Sequence, residues 1–427
     1  MANATKDKAG RPVIAVTGIG MITSLGTGKE DNWNKLTAGQ SGIRRISRFQ
    51  TDGLRTTIAG TVDHEYESGM APSVMTEKIA LIVGEEAIEQ AGIGTKGRFP
   101  GPLFLAMAPI ELEWPHRFDL ASAAGANENV SYADLVRVAT QPRFAPYFEM
   151  SKYGIVGEHL ADHFGTEGSP ISLTTACASG GTAIQLGVET IRRGDCEVAL
   201  AIGADTSVTP ESLVRFSLLS ALSAQNNPPE QTSKPFSKNR DGFVLAEGAA
   251  ALVLESLEHA QARGAKILGV IQGCGEKSDN FHRTRSSPNG RPIIGCMQNA
   301  FADAGISPDD VDYINAHGTS TPENDKMEYT GLAAVFGERA QKVPISSNKS
   351  MIGHTLTAAG AVEAAITLLT IQNQRIPPTI NYKVPDPAIP LDVVPNVARD
   401  AKIKTAISNS FGFGGQNVCL VLAGEPA

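Results

Sequence analysis

The chain has 427 residues, 41% hydrophobic and 19% charged, with a formal net charge of −8. That supports a large core, in one intimate unit or two halves, and the acidic balance argues against a nucleic-acid partner without excluding a local basic patch for an acidic protein. No apolar run is long enough to span a bilayer, and the polar residues 1–11 lack the apolar centre of a signal peptide, so the expected setting is the cytoplasm.

Residues 13–18 read as a buried strand, with Gly18-Ile19-Gly20 as a tight turn after it. A dinucleotide-binding fingerprint fails, because Thr23 stands where the third glycine belongs. A short helix is expected over 33–38, and an irregular stretch follows over 40–70 with Arg44, Arg45, Arg48 and Arg55. The spacing predicts a helix over 72–91, stopped by Gly92, then a strand over 103–108 that runs into Pro109-Ile110-Glu111. Residues 115–165 mix polar turns and helical pieces. A strand over 170–174 leads to Cys177, after which Ile184, Val188 and Ile191 recur at helical spacing up to Gly194.

Strands over 197–204 and 249–254 bracket a polar loop at 225–241, and a charged helix follows over 255–265. The second half repeats the rhythm from a strand at 266–271: helix 291–304, strand 311–316, helix 323–337, strand 343–347 and helix 356–373. Strands at 391–394, 404–408 and 417–422 close it. Alternating strands and helices indicate an α/β fold, divided near Leu257 into halves 12–257 and 258–427.

Cys177 sits where a strand turns into a helix, among small residues that leave its sulfur open. A thiolate is favoured by the free amides and positive dipole end of that helix. Lowering a thiol from about 8.5 to about 7 takes roughly 2 kcal/mol, and a helix end gives about 0.3–1 kcal/mol, up to ~2 in a favourable site. A second helper, a histidine, is therefore expected; the alternative is a buried structural cysteine. The other cysteines (196, 274, 296 and 419) show neither CxxC nor paired spacing, so no zinc site or disulfide framework is indicated.

Two further stretches present histidines at strand ends: Asn315-Ala316-His317-Gly318-Thr319-Ser320-Thr321-Pro322 and Ser347-Asn348-Lys349-Ser350-Met351-Ile352-Gly353-His354. In α/β folds this is where sites are built. Ser410-Phe411-Gly412-Phe413-Gly414-Gly415 is a glycine-rich turn between strands; it lacks the Lys-Ser/Thr ending of a P-loop and instead can offer a backbone N–H to an oxyanion.

Together, and in this order, these motifs resemble those of the β-ketoacyl-acyl-carrier-protein synthases, most closely the KAS II branch, over residues 12–422. The resemblance implies a thiolase-like five-layer αβαβα fold of two pseudo-symmetric halves, normally a homodimer. It implies that Cys177 accepts the acyl chain from an acyl carrier protein, that His317 and His354 assist decarboxylation of malonyl-carrier, and that the N–H groups of Cys177 and Phe413 form the oxyanion hole, with Phe413 also a gate. Thr319 and Thr321 would hold the phosphopantetheine arm, alongside Phe411. Lys349 would pair with Glu328, near Asp325, and keep the histidines oriented. Asn315, Glu363, Ser408 and Asn417 match positions that ring a structural Na+ or K+ in some members, and no other cofactor is implied. Pro109 and Ile110 fall in the segment that lines the acyl pocket, where the family uses glycine-rich sequence. The helix at 72–91 has only Lys78 and residues 214–223 only Arg215 where the family is richer in basic residues, which favours a specialised carrier. The three rivals are a non-catalytic chain-length-factor-like subunit, a thiolase acting on CoA esters, and a polyketide or nodulation-type synthase. Cys177 with both histidines speaks against the first, and the lack of a suitably placed second cysteine against the second.

Overall fold

The computed structural model describes residues 5–125 and 129–425. Its framework strands are β1 Ile14–Thr23, β2 Leu103–Ala106, β3 Ile171–Leu173, β4 Val198–Asp205, β5 Gly248–Ser256, β6 Gly269–Ser278, β7 Tyr313–Asn315, β8 Ile345–Ser346, β9 Thr405–Phe411 and β10 Gln416–Ala423. The framework helices are α1 Pro72–Ala91, α2 Ile155–Phe164, α3 Ser179–Arg193, α4 Arg291–Ala304, α5 Pro322–Phe336 and α6 Ala359–Asn373.

The strands run in the order β3-β2-β4-β5-β1-β6-β10-β9-β7-β8. Outward from the β1–β6 seam, each half has the same pattern. β2 is parallel to β3 and β4, with β5 antiparallel to β4 and β1. β7 is parallel to β8 and β9, with β10 antiparallel to β9 and β6. The seam is short, pairing Ile14 with Ile271, Ala15 with Val270 and Val16 with Gly269, so the two half-sheets fold over each other about it.

Between them lie α3 and α6, which touch strands of both halves and each other. Every residue of α6 from Ala359 to Ile371 is buried, as a middle-layer helix requires. The two helices meet backbone to backbone at Gly180 and Gly360: a Cβ on Gly180 would lie 2.4 Å from Ala361 N, and one on Gly360 2.4 Å from Gly181 N. α1 and α2 cover the outside of the first half-sheet, and α4 and α5 that of the second. This is the expected αβαβα stack.

The expected turn at Gly18-Ile19-Gly20 is instead the middle of β1. Those glycines serve packing: a Cβ on Gly18 would stand 2.0 Å from Ala87 O, and one on Gly20 1.9 Å from Val83 O, so α1 presses directly on the strand. The expected strand at 391–394 does not form. Val394 has φ 48° and Pro395 follows, although Ile345 N–H still donates to Asp392 O at 2.9 Å beside β8. The first helix runs Lys29–Thr37, earlier than expected, and residues 115–151 carry the short helices Trp114–Ala124, Tyr132–Ala139 and Ala145–Ser151. No described helix is long and apolar enough to cross a membrane.

Candidate active site

After β3 the chain turns through Ala176, φ 50°, before α3 begins. A left-handed alanine costs roughly 1–2 kcal/mol. The Ser179 hydroxyl braces it, accepting from Thr175 N–H at 2.8 Å and donating to Ala176 O at 2.6 Å. Cys177 is thereby held, buried, just ahead of α3. His317 follows β7, and His354 follows the helical turn Lys349–Ile352 after β8. The three side chains converge: Cys177 Sγ lies 3.2 Å from His354 Nε2, and one nitrogen of each ring and the sulfur lie within 4.8 Å of one another. The imidazoles stand edge to face, with centroids 5.3 Å apart, while Phe243 packs on His354 and Phe411 on His317.

Burial sets the protonation states. It pushes both histidines well below 6.5, with the charge of Lys349 acting in the same direction, so both are neutral at pH 7. Burial also pushes the Cys177 thiol up to about 11, against the Phe413 N–H and Lys349, which pull it down. This differs from the thiolate expected at the helix end: burial favours the neutral form, a thiol beside a neutral imidazole.

The ammonium of Lys349 donates to His317 O at 2.7 Å and reaches His317 Nδ1 at 3.4 Å. A cationic donor at Nδ1 leaves the ring proton on Nε2. The expected Lys349–Glu328 pair does not form; Lys349 pairs with Glu363. Glu328 instead accepts from His317 N–H at 2.9 Å and Gly318 N–H at 2.8 Å, and burial raises it to about 7. Asp325 holds the same loop rather than a ring, accepting from Ser320 N–H at 3.2 Å and Phe236 N–H at 2.7 Å.

Two cavities meet at Cys177. One, of about 570 Å³, is lined by Pro109, Glu111, Phe216 and Leu219. The other, of about 540 Å³, is lined by His317, Thr319, Thr321, His354 and Phe411. Phe413 lines both, at the tip of the hairpin after β9. Thr319 and Thr321 share a hydrogen bond at 2.9 Å. Ile110 is not part of the wall; it packs on the core under α1.

Near Lys349, Glu363 Oε2, Ser408 Oγ, Asn409 Oδ1 and Asn348 Oδ1 are buried without a hydrogen-bond partner among the described residues. Asn315 joins them, donating to Glu363 O at 3.0 Å and accepting from Asn348 at 3.3 Å. Such an oxygen set fits a hard cation. Asn417 lies apart from these oxygens, donating to Lys277 O at 2.9 Å and Gly415 O at 3.0 Å, whereas Asn409, whose amide donates to Glu328 at 3.5 Å, stands next to Ser408. Sequence reasoning missed Asn409 despite that adjacency. It also missed Arg283 and Arg285, exposed at the mouth of the second cavity together with Lys326.

Residues 11–260 match the β-ketoacyl synthase N-terminal domain, and residues 268–383 match the C-terminal domain. The chain belongs to the β-ketoacyl synthase family. Members of this family are condensing acyltransferases. A "3-oxoacyl-[acyl-carrier-protein] synthase 2" from Coxiella burnetii is 37% identical, over 96% of this chain and 98% of the relative. The tetracenomycin polyketide synthase ketoacyl synthase alpha subunit of Streptomyces glaucescens is 35% identical, over 96% of both. Among solved structures, a type II polyketide acyl-carrier protein in complex with its ketosynthase matches with TM-score 0.85 and 32% identity, over 97% of this chain and 99% of that one. A β-ketoacyl synthase from Burkholderia phymatum matches with TM-score 0.83 and 32% identity, over 96% and 99%.

Proposed function

We propose that this β-ketoacyl synthase joins an acyl group held on Cys177 to malonyl-carrier in fatty acid elongation, giving 3-oxoacyl-carrier, CO₂ and free carrier. The observation that carries the reading is the meeting of a thiol and two neutral imidazoles where two cavities join. In the first half-reaction Sγ bonds to the acyl carbon and the carrier C–S bond breaks. The thiol proton passes by way of His354 to the departing carrier sulfur, so no net charge stays in a buried site. The N–H groups of Cys177 and Phe413 stabilise the oxyanion.

In the second half-reaction the malonyl C–C bond breaks, CO₂ leaves, and the electron pair moves onto the thioester as an enolate. His317 Nε2–H donates to that oxygen; His354 donates too, in the Nε2–H tautomer, which its Nδ1, without a partner among the described residues, leaves accessible. The enolate carbon then bonds to the acyl carbon, the acyl C–Sγ bond breaks, and Sγ takes up a proton from solvent by way of His354. Thr319 and Thr321 line the path of the phosphopantetheine arm. Asn315, Glu363, Ser408 and Asn409 would hold a structural monovalent cation, which would offset buried carboxylate charge behind the histidines.

The carrier docks at Arg283, Arg285 and Lys326, because Lys78 is engaged with Glu65 and Glu67 and Arg215 with Glu111. A second copy pairs along β3, the outermost strand of its half-sheet, where Ile171 is 46% exposed. The division into 12–257 and 258–427 follows the repeated strand order, and the setting is cytoplasmic. The polyketide reading stays open on one feature, the charged wall at Glu111 and Arg215. Incubation with acyl-carrier and mass analysis of Cys177 tests the main reading: the acyl group should sit on Cys177, Cys177→Ser should lose transfer by ~10⁴-fold or more, and Cys177→Gln should still decarboxylate malonyl-carrier. Full condensation by Cys177→Ala would overturn it.

A further inference from the structure

The cavity that leads away from Cys177 does not end where its charged wall begins. Pro72, Glu113, Thr209 and Glu211 line it, and the same residues line a separate chamber of about 520 Å³ on the far side. That distal chamber is walled largely by apolar side chains, among them Tyr66, Met70, Met75, Trp114, Phe118 and Val208. We propose that the acyl site has two chambers in series, with Glu113 and Glu211 standing between them, and that the distal chamber receives the far end of a very long acyl chain whose carbonyl is on Cys177. This rests on the function proposed above and names its substrate class.

The two carboxylates are unlike. Glu211 is buried and fixed, accepting Trp114 N–H at 2.7 Å. Glu113 is at the start of the helix Trp114–Ala124 but does not cap it, so its side chain is free to swing. Burial, and next the charge of Glu211, push its carboxyl up to about 7. A carboxyl that is readily neutral can lie against methylene groups without the cost of a buried unpaired charge. A divider of this kind yields to an alkyl chain but closes the proximal chamber when no chain passes. Trp114 and Phe118 on its outer wall are exposed, and an alkyl chain that passes the two carboxylates would cover this apolar surface from the side of the reaction site.

Photo-crosslinking maps the path on the intact protein. Cys177 is acylated with primers that carry a diazirine at the far end, one medium-chain and one very-long-chain, and the labelled peptides are identified by mass. The medium chain should label the proximal wall, around Leu112 or Arg215–Leu219. The very long chain should label Met70–Met75 or Trp114–Phe118. Ala71→Trp, which fills the distal chamber from the other side, should lower turnover of very long primers by about tenfold or more, the scale on which apolar pockets discriminate, and leave medium-chain turnover unchanged. The same proximal peptides from both primers would overturn the two-chamber site. If Ala71→Trp loses medium chains as well, the crosslink map of the unaltered chain decides alone. Failure of any primer to acylate Cys177 would sink the proposed function instead, which keeps the two failures apart.

Discussion

The two halves share one strand order yet hold their functional loops in different ways. In the C-terminal half, the two histidine-bearing loops that meet Cys177 are tied down by buried carboxylates: Glu328 on the amides of His317 and Gly318, Asp325 on those of Ser320 and Phe236, and Glu363 on Lys349. In the N-terminal half, the loop after β2 that walls the acyl cavity is held by Glu111 with Arg215 and Arg117, all about half exposed. Buried charge-assisted hydrogen bonds are strong and costly to break; exposed ion pairs contribute little. Chemistry common to every substrate is thus built rigidly, and the wall that meets the variable chain is left adaptable.

The hardest test of the rigid side is Lys349→Met. It removes the buried ammonium that pairs with Glu363, so unfolding free energy should drop by about 3–5 kcal/mol, read from denaturant melts. The double variant Lys349→Met/Glu363→Gln removes both charges and should recover most of the loss. Activity should stay low in both, because the cationic donor at His317 Nδ1 is gone. Recovery of activity with stability would mean that Lys349 serves packing alone.

His317→Ala and His354→Ala should each lower condensation by about 10²–10³-fold, the usual cost of one oxyanion donor; acyl-Cys177 should still form at an unchanged rate with His317→Ala and more slowly with His354→Ala, which also loses the proton relay. The pH dependence has a definite sign. Both folded-state values lie well below 6.5, chiefly through burial, whereas in the unfolded chain they sit near 6.5. As pH falls below that value the unfolded chain takes up protons first, so this contribution to stability, full above ~6.5, is lost on acidification. Decarboxylation should therefore hold constant from neutrality to well below 6.5 and then fall. An acid limb centred on 6.5 would mean that the imidazoles are solvated.

Much of this was legible in the letters. Helix α1 lies where apolar spacing and Gly92 put it, α4 fills the expected range 291–304, and the Cys, His and His motifs identified the atoms that converge. What stayed hidden is set by partners distant in sequence. Whether Gly18 and Gly20 make a turn or a helix seat depends on Val83 and Ala87. Whether Lys349 chooses Glu328 or Glu363 depends on how α5 and α6 pack. The thiol's state depends on burial, which local sequence does not report; the helix end and an expected histidine were the influences the letters showed.

Within the rigid half, Thr319 is a milder probe. Thr319→Val keeps the volume and removes the hydroxyl bonded to Thr321. One neutral hydrogen bond contributes about 0.5–1.5 kcal/mol, so KM for malonyl-carrier should rise by about two- to tenfold, with kcat unchanged. A fall in kcat at constant KM would put the hydroxyl on the reacting atoms rather than on the arm.

The smallest expected effect lies on the adaptable side. Arg215 meets Glu111 through both guanidinium ends, one at 3.0 Å, and the Arg215 bond is the main reason the Glu111 carboxyl sits below its usual range. With both side chains about half exposed, solvent screens most of that attraction. Arg215→Gln should then change stability by no more than about 1 kcal/mol. The consequence belongs to the cavity: Glu111 keeps Arg117 at 3.0 Å, but the wall loses its link to the helix Pro210–Leu218 and can part more easily. Relative turnover across primer lengths should broaden while the rate on the best primer stays the same. A stability loss of several kcal/mol would place Glu111 and Arg215 with the rigid framework, and the contrast between the halves would fail at this loop.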